Sequence, residues 1–385
     1  MLDVVIATLA LAIWTYLLLG RGGFWLCRER DDAAPSDLPR WPSVTAVIPA
    51  RNEADCIAQS IGSLARQDYP GAFAIVLVDD DSDDDTAAIA RRAAAGLDPE
   101  RAFKLIESRG MAQGWTGKLW ALHQGVDAAS AAPRPPDYLL LTDADIVHAP
   151  DSVRALVTRA QGGGYVLTSL MAKLRCESLA ERSHVPAFVF FFQMLFPFAW
   201  VNAKAGATAA AAGGCMLVKA DALRQAGGIE SIRGALIDDC SLARKLKAIG
   251  PVWLGLTGRV ASIRRYDGLG EVKHMIARSA YAQLNYSPLL LIAATFGMAL
   301  TFLAGPMLAV FGDGLARLLG AMTWAMMVLA FQPMLRFYRI SPLWGLALPA
   351  IAAAYMIYTL ESAYRYARGQ GGSWKGRVQA NASCQ

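Results

Sequence analysis

The chain has 385 residues, of which 55% are hydrophobic and 18% charged, and its formal net charge is +5 at pH 7. This composition is too apolar for an ordinary soluble protein, and the charge is too small and too dispersed to predict nucleic-acid binding. The cysteines form no CxxC pair and no metal-ligand spacing, which predicts small buried residues in a reducing compartment. They are Cys27, Cys56, Cys176, Cys215, Cys240 and Cys384.

The first segment is apolar without a break over residues 4–19, and Arg21 and Arg28 follow it. A cleaved signal peptide would have a basic start and a small-residue cleavage site, and neither is present. We therefore predict a transmembrane anchor over residues 1–20 and a linker over residues 21–42. The basic flank places the N-terminus outside and the next domain in the cytoplasm. An interfacial helix is the alternative for so short a span.

From residue 43 the chain alternates between short apolar runs and helical patterns. This alternation predicts an α/β domain over residues 43–270 with a mainly parallel, doubly wound (Rossmann-like) sheet. The predicted strands are Val44–Ile48, Ile75–Val78, Phe103–Ile106, Leu139–Leu141 and Tyr165–Ser169, and the predicted helices are Glu53–Arg66, Thr86–Ala95, Leu119–Ala129 and Ser152–Ala160.

Carboxylates follow three of these strands, at the edge where open α/β sheets bind their ligands. Asp143 and Asp145, after the fourth strand, can together hold a hard divalent cation that bridges phosphate oxygens. Simple turn chemistry is the alternative for this pair. Helix capping is the alternative for the acidic run after the second strand, but it explains Asp79 and Asp80 less well than residues 83–85.

A glycine-bearing loop, Gly114-Trp-Thr-Gly-Lys118, precedes the helix predicted at residues 119–129. Its Lys118 could contact a phosphate, and the alternative is an ordinary surface lysine.

Four motifs match, in order and spacing, those of family 2 glycosyltransferases with the GT-A fold, over residues 43–265. They are Pro49-Ala-Arg-Asn-Glu53, residues 78–86, Thr142-Asp-Ala-Asp145 and residues 237–246. The chain resembles more specifically the hopanoid-associated bacterial branch. That narrower resemblance rests on residues 196–202, 211–218 and 233–239 and on the C-terminal membrane segments.

The resemblance implies a role for each matching residue. Glu53 and Asp80 would contact the ribose and base of a nucleotide sugar, and Asp143 and Asp145 would bind its diphosphate through Mg²⁺ or Mn²⁺. Asp239 would be the general base. The remaining candidates for contacts with the donor are Pro49, Arg51, Asp79, Lys118, Asp238 and Arg278.

The chemistry of an inverting transfer supports these roles independently. It needs one base for the acceptor hydroxyl and a cation for the departing diphosphate, in place of a protein nucleophile. Helix capping is the alternative for Asp238 and Asp239, although capping need not use both.

Two departures from the family pattern bear on the reaction. The usual Glu-Asp pair is Asp238-Asp239 here, which leaves the proposed base in place. The Gln/Arg-x-x-Arg-Trp motif of processive relatives is absent from the corresponding residues 274–281. This absence favours transfer of a single sugar.

The aromatic-rich segment at residues 186–204 is nearly long enough to span a membrane. A span would put Asp145 and Asp239 on opposite sides, so we predict a segment in the membrane interface that presents a lipid acceptor. A core helix is the alternative.

The C-terminal part predicts an interface helix over residues 271–286, three membrane segments within 287–360 and a basic tail over 361–385. The membrane segments are Ser287–Phe311, Leu318–Leu335 and Leu343–Leu360. Three full spans would leave the basic tail outside, against the positive-inside tendency. One segment could instead be re-entrant or interfacial, so the side of the tail stays open.

Taken together, these features predict a multi-pass glycosyltransferase of the bacterial inner membrane with a cytoplasmic active site. It would transfer one sugar from a nucleotide-diphosphate donor to a lipid hydroxyl, with inversion and a divalent cation, and the narrower resemblance implies a lipid of the hopanoid type. A nucleotidyltransferase and a catalytically silent scaffold are the alternatives. A transporter is disfavoured because the apolar ends carry almost no intramembrane charge.

Overall fold

The computed structural model describes residues 1–95, 101–371, 373–374 and 377–378. Lys375 and Cys384 of the predicted tail lie outside the described residues. The main-sheet strands are β1 (Val44–Ala50), β2 (Phe73–Asp79), β3 (Ala102–Glu107), β4 (Tyr138–Thr142), β5 (Ile146–His148), β6 (Leu167–Lys173), β7 (Cys215–Lys219) and β8 (Val252–Ser262). The α-helices are α1 (Leu2–Leu19), α2 (Ile57–Ala65), α3 (Thr86–Ala94), α4 (Gly117–Ser130), α5 (Ser152–Gly163), α6 (Leu179–Leu195), α7 (Phe198–Asn202), α8 (Ala220–Gln225), α9 (Asp238–Lys247), α10 (Leu269–Ala280), α11 (Pro288–Met298), α12 (Gly305–Phe311), α13 (Gly314–Tyr338) and α14 (Leu348–Ala367).

The sheet has the strand order β3-β2-β1-β4-β7-β6-β8-β5. The half formed by β3, β2, β1 and β4 is parallel, as predicted. In the other half, β7 is antiparallel to β4 and β6, β5 is antiparallel to β8, and β6 is parallel to β8. The sheet is therefore mixed, and the antiparallel pairs come from strands that lie far apart in the chain.

The predicted elements are present with shifted bounds. The first helix of the sheet domain begins at Ile57 rather than Glu53. A loop occupies the intervening residues because Asn52 adopts a left-handed backbone with φ 50°. The amide of Glu53 donates to Thr86 Oγ1 at 2.8 Å, which ties this loop to the start of α3.

The two faces of the sheet bury different side chains, as the alternation along a strand requires. Ile48 and Leu140 face a core formed with α2 and α5. Val47 and Leu139 face α4 and a second core, which continues into the apolar helices. Gly125 permits the close approach of α4, because a Cβ there would lie 2.4 Å from Val47 Cγ1.

Among the described residues, four helices are long and apolar enough to cross a membrane: Leu2–Leu19, Pro288–Phe311, Gly314–Tyr338 and Pro342–Ala367. The second includes a π-helical turn at Ala299–Ala304, and the last begins as a 3₁₀ turn at Pro342–Ala347. The packing of α12 on α13 depends on small residues, since a Cβ on Gly320 would lie 2.6 Å from the carbonyl oxygen of Gly305.

The aromatic segment at residues 186–204 forms the end of α6 and the whole of α7. Phe190 and Phe191 are buried, and their rings contact Phe331 at 5.2 Å and Phe302 at 5.4 Å between centroids. This packing is that of the core-helix alternative, because the apolar helices cover the aromatic side chains. A position in the membrane interface stays a prediction.

Candidate active site

The loops after β1 and β2 are fastened to each other. Arg51 donates from Nη1 to the carbonyl oxygens of Asp80 and Asp81, the latter at 2.6 Å. Asn52 Oδ1 accepts from the amide of Asp83 at 2.8 Å. Asn52 and Asp81 both have positive φ, a conformation that short polar side chains tolerate. The predicted binding residue Arg51 therefore shapes the loop in this structure.

The other predicted residues at this edge are buried. Pro49 lies within β1, where its partner in the register is Val78. Asp79 Oδ1 accepts from Ser82 Oγ, and the amide of Asp80 donates to the carbonyl oxygen of Ala50 at 2.8 Å. These contacts hold the ends of β1 and β2 side by side.

The Asp143–Asp145 loop joins β4 to β5 and is fixed at its base. Thr142 Oγ1 donates to the carbonyl oxygen of Gly214 at 2.8 Å and lies 3.1 Å from His148 Nε2. Burial lowers the pKa of His148 to about 4, so its imidazole is neutral at physiological pH. The loop thus presents Asp143 and Asp145 from a rigid support.

An arginine links two of the predicted carboxylates. Arg264 Nη2 donates to Glu53 Oε1 and Oε2 at 2.7 and 2.9 Å, and its Nε donates to Asp145 Oδ2 at 3.0 Å. Ser262 Oγ donates to the same Asp145 oxygen at 2.9 Å. Burial lowers the pKa of Arg264, but Asp145 and Glu53 outweigh burial and raise it above its ordinary value. We call Glu53, Asp145, Ser262 and Arg264 the Arg264 cluster.

A lysine links two further carboxylates. Lys118 Nζ lies 2.9 Å from Asp143 Oδ1 and 3.0 Å from Asp238 Oδ2. It is held in the first turn of α4, where Thr116 Oγ1 caps the helix by accepting from the amide of Leu119. We call Lys118, Asp143 and Asp238 the Lys118 cluster. Lys118 is therefore not the solvated surface lysine of the alternative interpretation.

The pKa of Asp143 reflects its crowded surroundings. Burial raises it, Lys118 lowers it, and the carboxylates of Asp145 and Asp238 raise it again, with a net increase. Carboxylates this close resist simultaneous ionisation unless a cation compensates them.

The proposed base adjoins the Lys118 cluster. Asp238 and Asp239 form the first turn of α9, and Asp239 accepts from the amides of Gly213 at 2.9 Å and Cys240 at 2.7 Å. Burial and the neighbouring Asp238 raise the pKa of Asp239 to about 6, against the opposing charge of Lys118. The hydrogen bond from the Cys240 amide to Asp239 is of the kind expected for helix capping. The raised pKa of Asp239 is suited to a general base at neutral pH.

The sequence missed two members of the site. Arg264 and Ser262 lie at the end of β8, and β8 pairs with β5 in the register Ser262 opposite Ile146. In the sequence, Arg264 is only an arginine two residues beyond an apolar strand. That pattern does not predict which carboxylates the arginine binds. The candidate Arg278 is exposed on α10. Among the described residues, the cations that form ion pairs in the two clusters are Lys118 and Arg264.

The donor set fits a hard divalent cation that is shared with a ligand. Asp143 and Asp145 offer carboxylate oxygens, which Mg²⁺ and Mn²⁺ prefer. Within the described ranges, no group of three or more His, Cys, Asp or Glu side chains could hold a metal ion. A cation here would therefore take its other oxygens from elsewhere, as Mg²⁺ does when it binds through one or two carboxylates and substrate phosphates.

Comparison with known proteins shows what part of this chain is similar to. Residues 45–227 match the family described as Glycosyl transferase family 2. No curated protein matched the sequence.

Among solved structures, a mannosyltransferase from Pyrobaculum calidifontis in complex with GDP-Man and Mn²⁺ aligns over 93% of this chain and 99% of its own, with 19% identity and a TM-score of 0.58. This likeness establishes the GT-A fold. S. aureus TarS (residues 1–349) in complex with UDP-GlcNAc is more distant. It aligns over 89% of this chain and 97% of its own, with 14% identity and a TM-score of 0.42.

Proposed function

We propose that this protein of the GT-A fold, whose residues 45–227 match glycosyl transferase family 2, transfers one sugar from a nucleotide-diphosphate sugar to a lipid hydroxyl with inversion. The observation that carries the proposal is the position of Asp239. Its carboxylate adjoins Asp238, which is linked to Asp143 through Lys118. A candidate base thus lies beside a candidate site for the diphosphate.

On the donor side, Glu53, Asp79 and Asp80 lie at the ends of the parallel strands, where a nucleoside would enter. Asp143 and Asp145 would hold Mg²⁺ or Mn²⁺, which neutralises the charge of the departing diphosphate when it is bound. The Pyrobaculum mannosyltransferase, bound to GDP-Man and Mn²⁺, has the same combination of ligands.

On the acceptor side, Asp239 would take the proton of the acceptor hydroxyl. The hydroxyl oxygen then forms a bond with the anomeric carbon while the bond from that carbon to the diphosphate oxygen breaks. The diphosphate leaves with the bonding electron pair, and Lys118 lies where it can pair with that charge. One attack from the face opposite the leaving group inverts the anomeric configuration.

A lipid acceptor fits the packing of the sheet domain on four apolar helices. The second core of the sheet continues directly into these helices, so a hydroxyl at the membrane surface would be close to the domain. A hopanoid acceptor is suggested only by the resemblance of the motifs. We place the enzyme in the bacterial inner membrane with the sheet domain in the cytoplasm, because Arg21 and Arg28 follow α1.

Calorimetric titration of the detergent-solubilised enzyme with a panel of nucleoside diphosphates tests the donor site, with Mn²⁺ and then with EDTA. We expect one nucleotide to bind only with Mn²⁺ and Asp145→Ala to lose that binding. Asp85→Ala is the matched control, since Asp85 is exposed at the start of α3. Equal binding by both variants would refute the metal assignment at Asp145, and binding by no nucleotide would favour the silent scaffold.

The acceptor is tested with the nucleotide sugar identified in this way, radiolabelled in the sugar, and a bacterial lipid extract. Label recovered in the organic phase supports a lipid acceptor. Label transferred only to water-soluble products contradicts it. If a nucleotidyl group is transferred and Asp239→Asn retains activity, the enzyme is a nucleotidyltransferase instead.

A further inference from the structure

We propose that residues 342–367 form a re-entrant hairpin whose apolar surface contacts lipid acyl chains and which does not reach the far side of the membrane. The hairpin enters the membrane from that side, turns near residues 346–348 and returns to the same side. The chain then crosses the membrane three times, and the tail lies on the side of the sheet domain. This inference rests on the proposed membrane location of the other three apolar helices, but not on the reaction.

The hairpin departs from the side of the sheet domain. The end of α13 packs against that domain, where Lys173 Nζ lies 5.2 Å from the ring centroid of Phe337. The guanidinium carbon of Arg30 lies 5.3 Å from the same centroid. Lys173 is the last residue of β6, so the chain leaves α13 next to the sheet.

The first arm runs back alongside α13. Gln332 Nε2 donates to the carbonyl oxygen of Pro342 at 3.2 Å, and Trp324 Nε1 donates to that of Leu346 at 3.3 Å. At 1.5 Å per residue, Trp324 lies about 21 Å from the end of α13 at Tyr338, and α13 continues about 15 Å farther to Gly314. The arm therefore ends well before the far end of α13.

The second arm, α14, returns to the sheet domain. Near its end Glu361 pairs with Lys273 of α10 at 3.1 Å. The ring of Tyr366 stacks on that of Tyr286 with 4.3 Å between centroids, two residues before α11 begins. The end of α14 and the beginning of α11 are therefore on the same side.

The helix Pro288–Phe311 gives a second measure of depth. The ring of Phe191 contacts that of Phe302, in the π-helical turn of this helix, with 5.4 Å between centroids. It also contacts the ring of Tyr355, in the first half of α14, with 4.9 Å between centroids. The turn at Ala299–Ala304 lies about 20–27 Å from Tyr286 along the helix, and Phe311 lies about 10–18 Å beyond that turn. Measured from the stacked rings of Tyr366 and Tyr286, α14 extends about 27 Å to Leu348 and the Pro288–Phe311 helix about 38 Å to Phe311, so this neighbour also extends past the hairpin.

The surface of the hairpin has the chemistry of a lipid contact. Leu343, Leu346 and Ile357 are more than half exposed, at 72%, 52% and 58%. Basic residues, Arg339 and Arg368, stand exposed at its two ends, where lipid headgroups are expected. A full span would carry Arg368 and the tail to the outside, whereas the hairpin keeps them with the other cytoplasmic basic residues.

Cysteine labelling of the full chain in spheroplasts tests the topology. The background carries Cys56→Ser, Cys176→Ser and Cys384→Ser and keeps the buried Cys27, Cys215 and Cys240, which a bulky reagent does not reach. A membrane-impermeant maleimide is applied before and after permeabilisation to chains with Asp313→Cys, Gln370→Cys or Glu107→Cys. These three probe the α12–α13 connection, the start of the tail and the sheet domain.

We expect Asp313→Cys to react in intact spheroplasts, and Gln370→Cys and Glu107→Cys to react at least tenfold more after permeabilisation. Reaction of Gln370→Cys in intact spheroplasts would overturn the hairpin in favour of four crossings. If all three cysteines, including Asp313→Cys, are protected in intact spheroplasts and alkaline carbonate extracts the protein, the assignment of the apolar helices to the membrane is wrong. Neither result depends on sugar transfer, which the donor titration tests separately.

A double variant, Tyr286→Cys with Tyr366→Cys, provides a second test that does not depend on sidedness. A short bis-maleimide should cross-link this pair in membranes but not the control pair Tyr286→Cys with Asp313→Cys. Absence of a cross-link between residues 286 and 366 would contradict the proposed return of α14.

Discussion

The Arg264 cluster and the Lys118 cluster meet at the same loop, yet they are built differently. The guanidinium of Arg264 makes three hydrogen bonds to Glu53 and Asp145, whose side chains are only 8% and 13% exposed. Lys118 makes single contacts with Asp143 and Asp238, of which Asp143 is 34% exposed. A planar fork fixes the orientation of its partners, whereas an ammonium is a point charge on a flexible stem.

This difference suggests a division of labour. The Arg264 cluster would act as a scaffold that positions the donor, because its geometry is fixed in advance. The Lys118 cluster would exchange partners during the reaction, since a diphosphate can compete for its ammonium. Four experiments test this division of labour.

The largest effect is expected at Asp239, beside the Lys118 cluster. Asp239→Asn keeps the size of the side chain but removes the proton acceptor, so the turnover number should fall by about 10²–10⁴. Affinity for the nucleotide should be unchanged. The control is Asp127→Asn, an exposed residue paired with His123 on α4. Turnover within threefold of wild type would remove Asp239 from the mechanism.

The next effect is expected from Lys118→Met, which removes the ammonium and keeps the aliphatic stem. We expect a loss of about 10²–10³ in turnover, the magnitude found when one preorganised electrostatic donor is removed. Steady-state kinetics separate this from binding, because the division of labour predicts a smaller change in the KM for the donor. Lys104→Met, on the exposed edge of β3, is the control. A change confined to KM would contradict an exchange of partners during the reaction.

Arg264→Gln should act on binding and stability instead. Loss of charged hydrogen bonds to buried carboxylates costs about 1–3 kcal/mol, so thermal unfolding in detergent should begin at a lower temperature. Mn²⁺ alone should bind several-fold less tightly, because Asp145 is no longer held in a fixed orientation. The neighbouring exposed Arg265→Gln is the control. If Mn²⁺ binds more tightly to Arg264→Gln, the guanidinium competes with the cation for Asp145 and the scaffold role is wrong.

The smallest effect concerns pH. With the pKa of Asp239 raised to about 6, its basic form is lost as pH falls through that value, so kcat/KM should rise with pH across it. Asp238 raises this pKa and Lys118 lowers it. The midpoint should therefore move down in Asp238→Asn and up in whatever activity Lys118→Met retains. An unchanged midpoint in both variants would mean that another group titrates.

The sequence predicted one half of the site better than the other. Glu53, Asp79, Asp80, Asp143 and Asp145 follow strands of the parallel half, and the ends of parallel strands meet at one edge by rule. Ser262 and Arg264 reach the same place only through the antiparallel pairing of β8 with β5. Nothing local in residues 252–264 specifies that pairing.

For the apolar helices, too, the sequence predicted some features and left others open. Apolar runs predicted four helices, and the structure contains all four. Length and composition could not say whether the last one crosses the membrane, because a hairpin arm and a span share the same apolar pattern. The contacts of Leu346 with Trp324 and of Tyr366 with Tyr286 are the observations on which the proposed hairpin rests.

The α/β sheet, the apolar helices and the carboxylates after the strands could be predicted from the sequence alone, because these features depend on periodicity and on residues next to each strand end. The folded chain was needed to establish which cationic side chain each carboxylate contacts, which helices cover the aromatic segment of α6 and where α14 ends. Those outcomes depend on pairings between residues tens to hundreds of positions apart, which packing and electrostatics select together and no local pattern encodes.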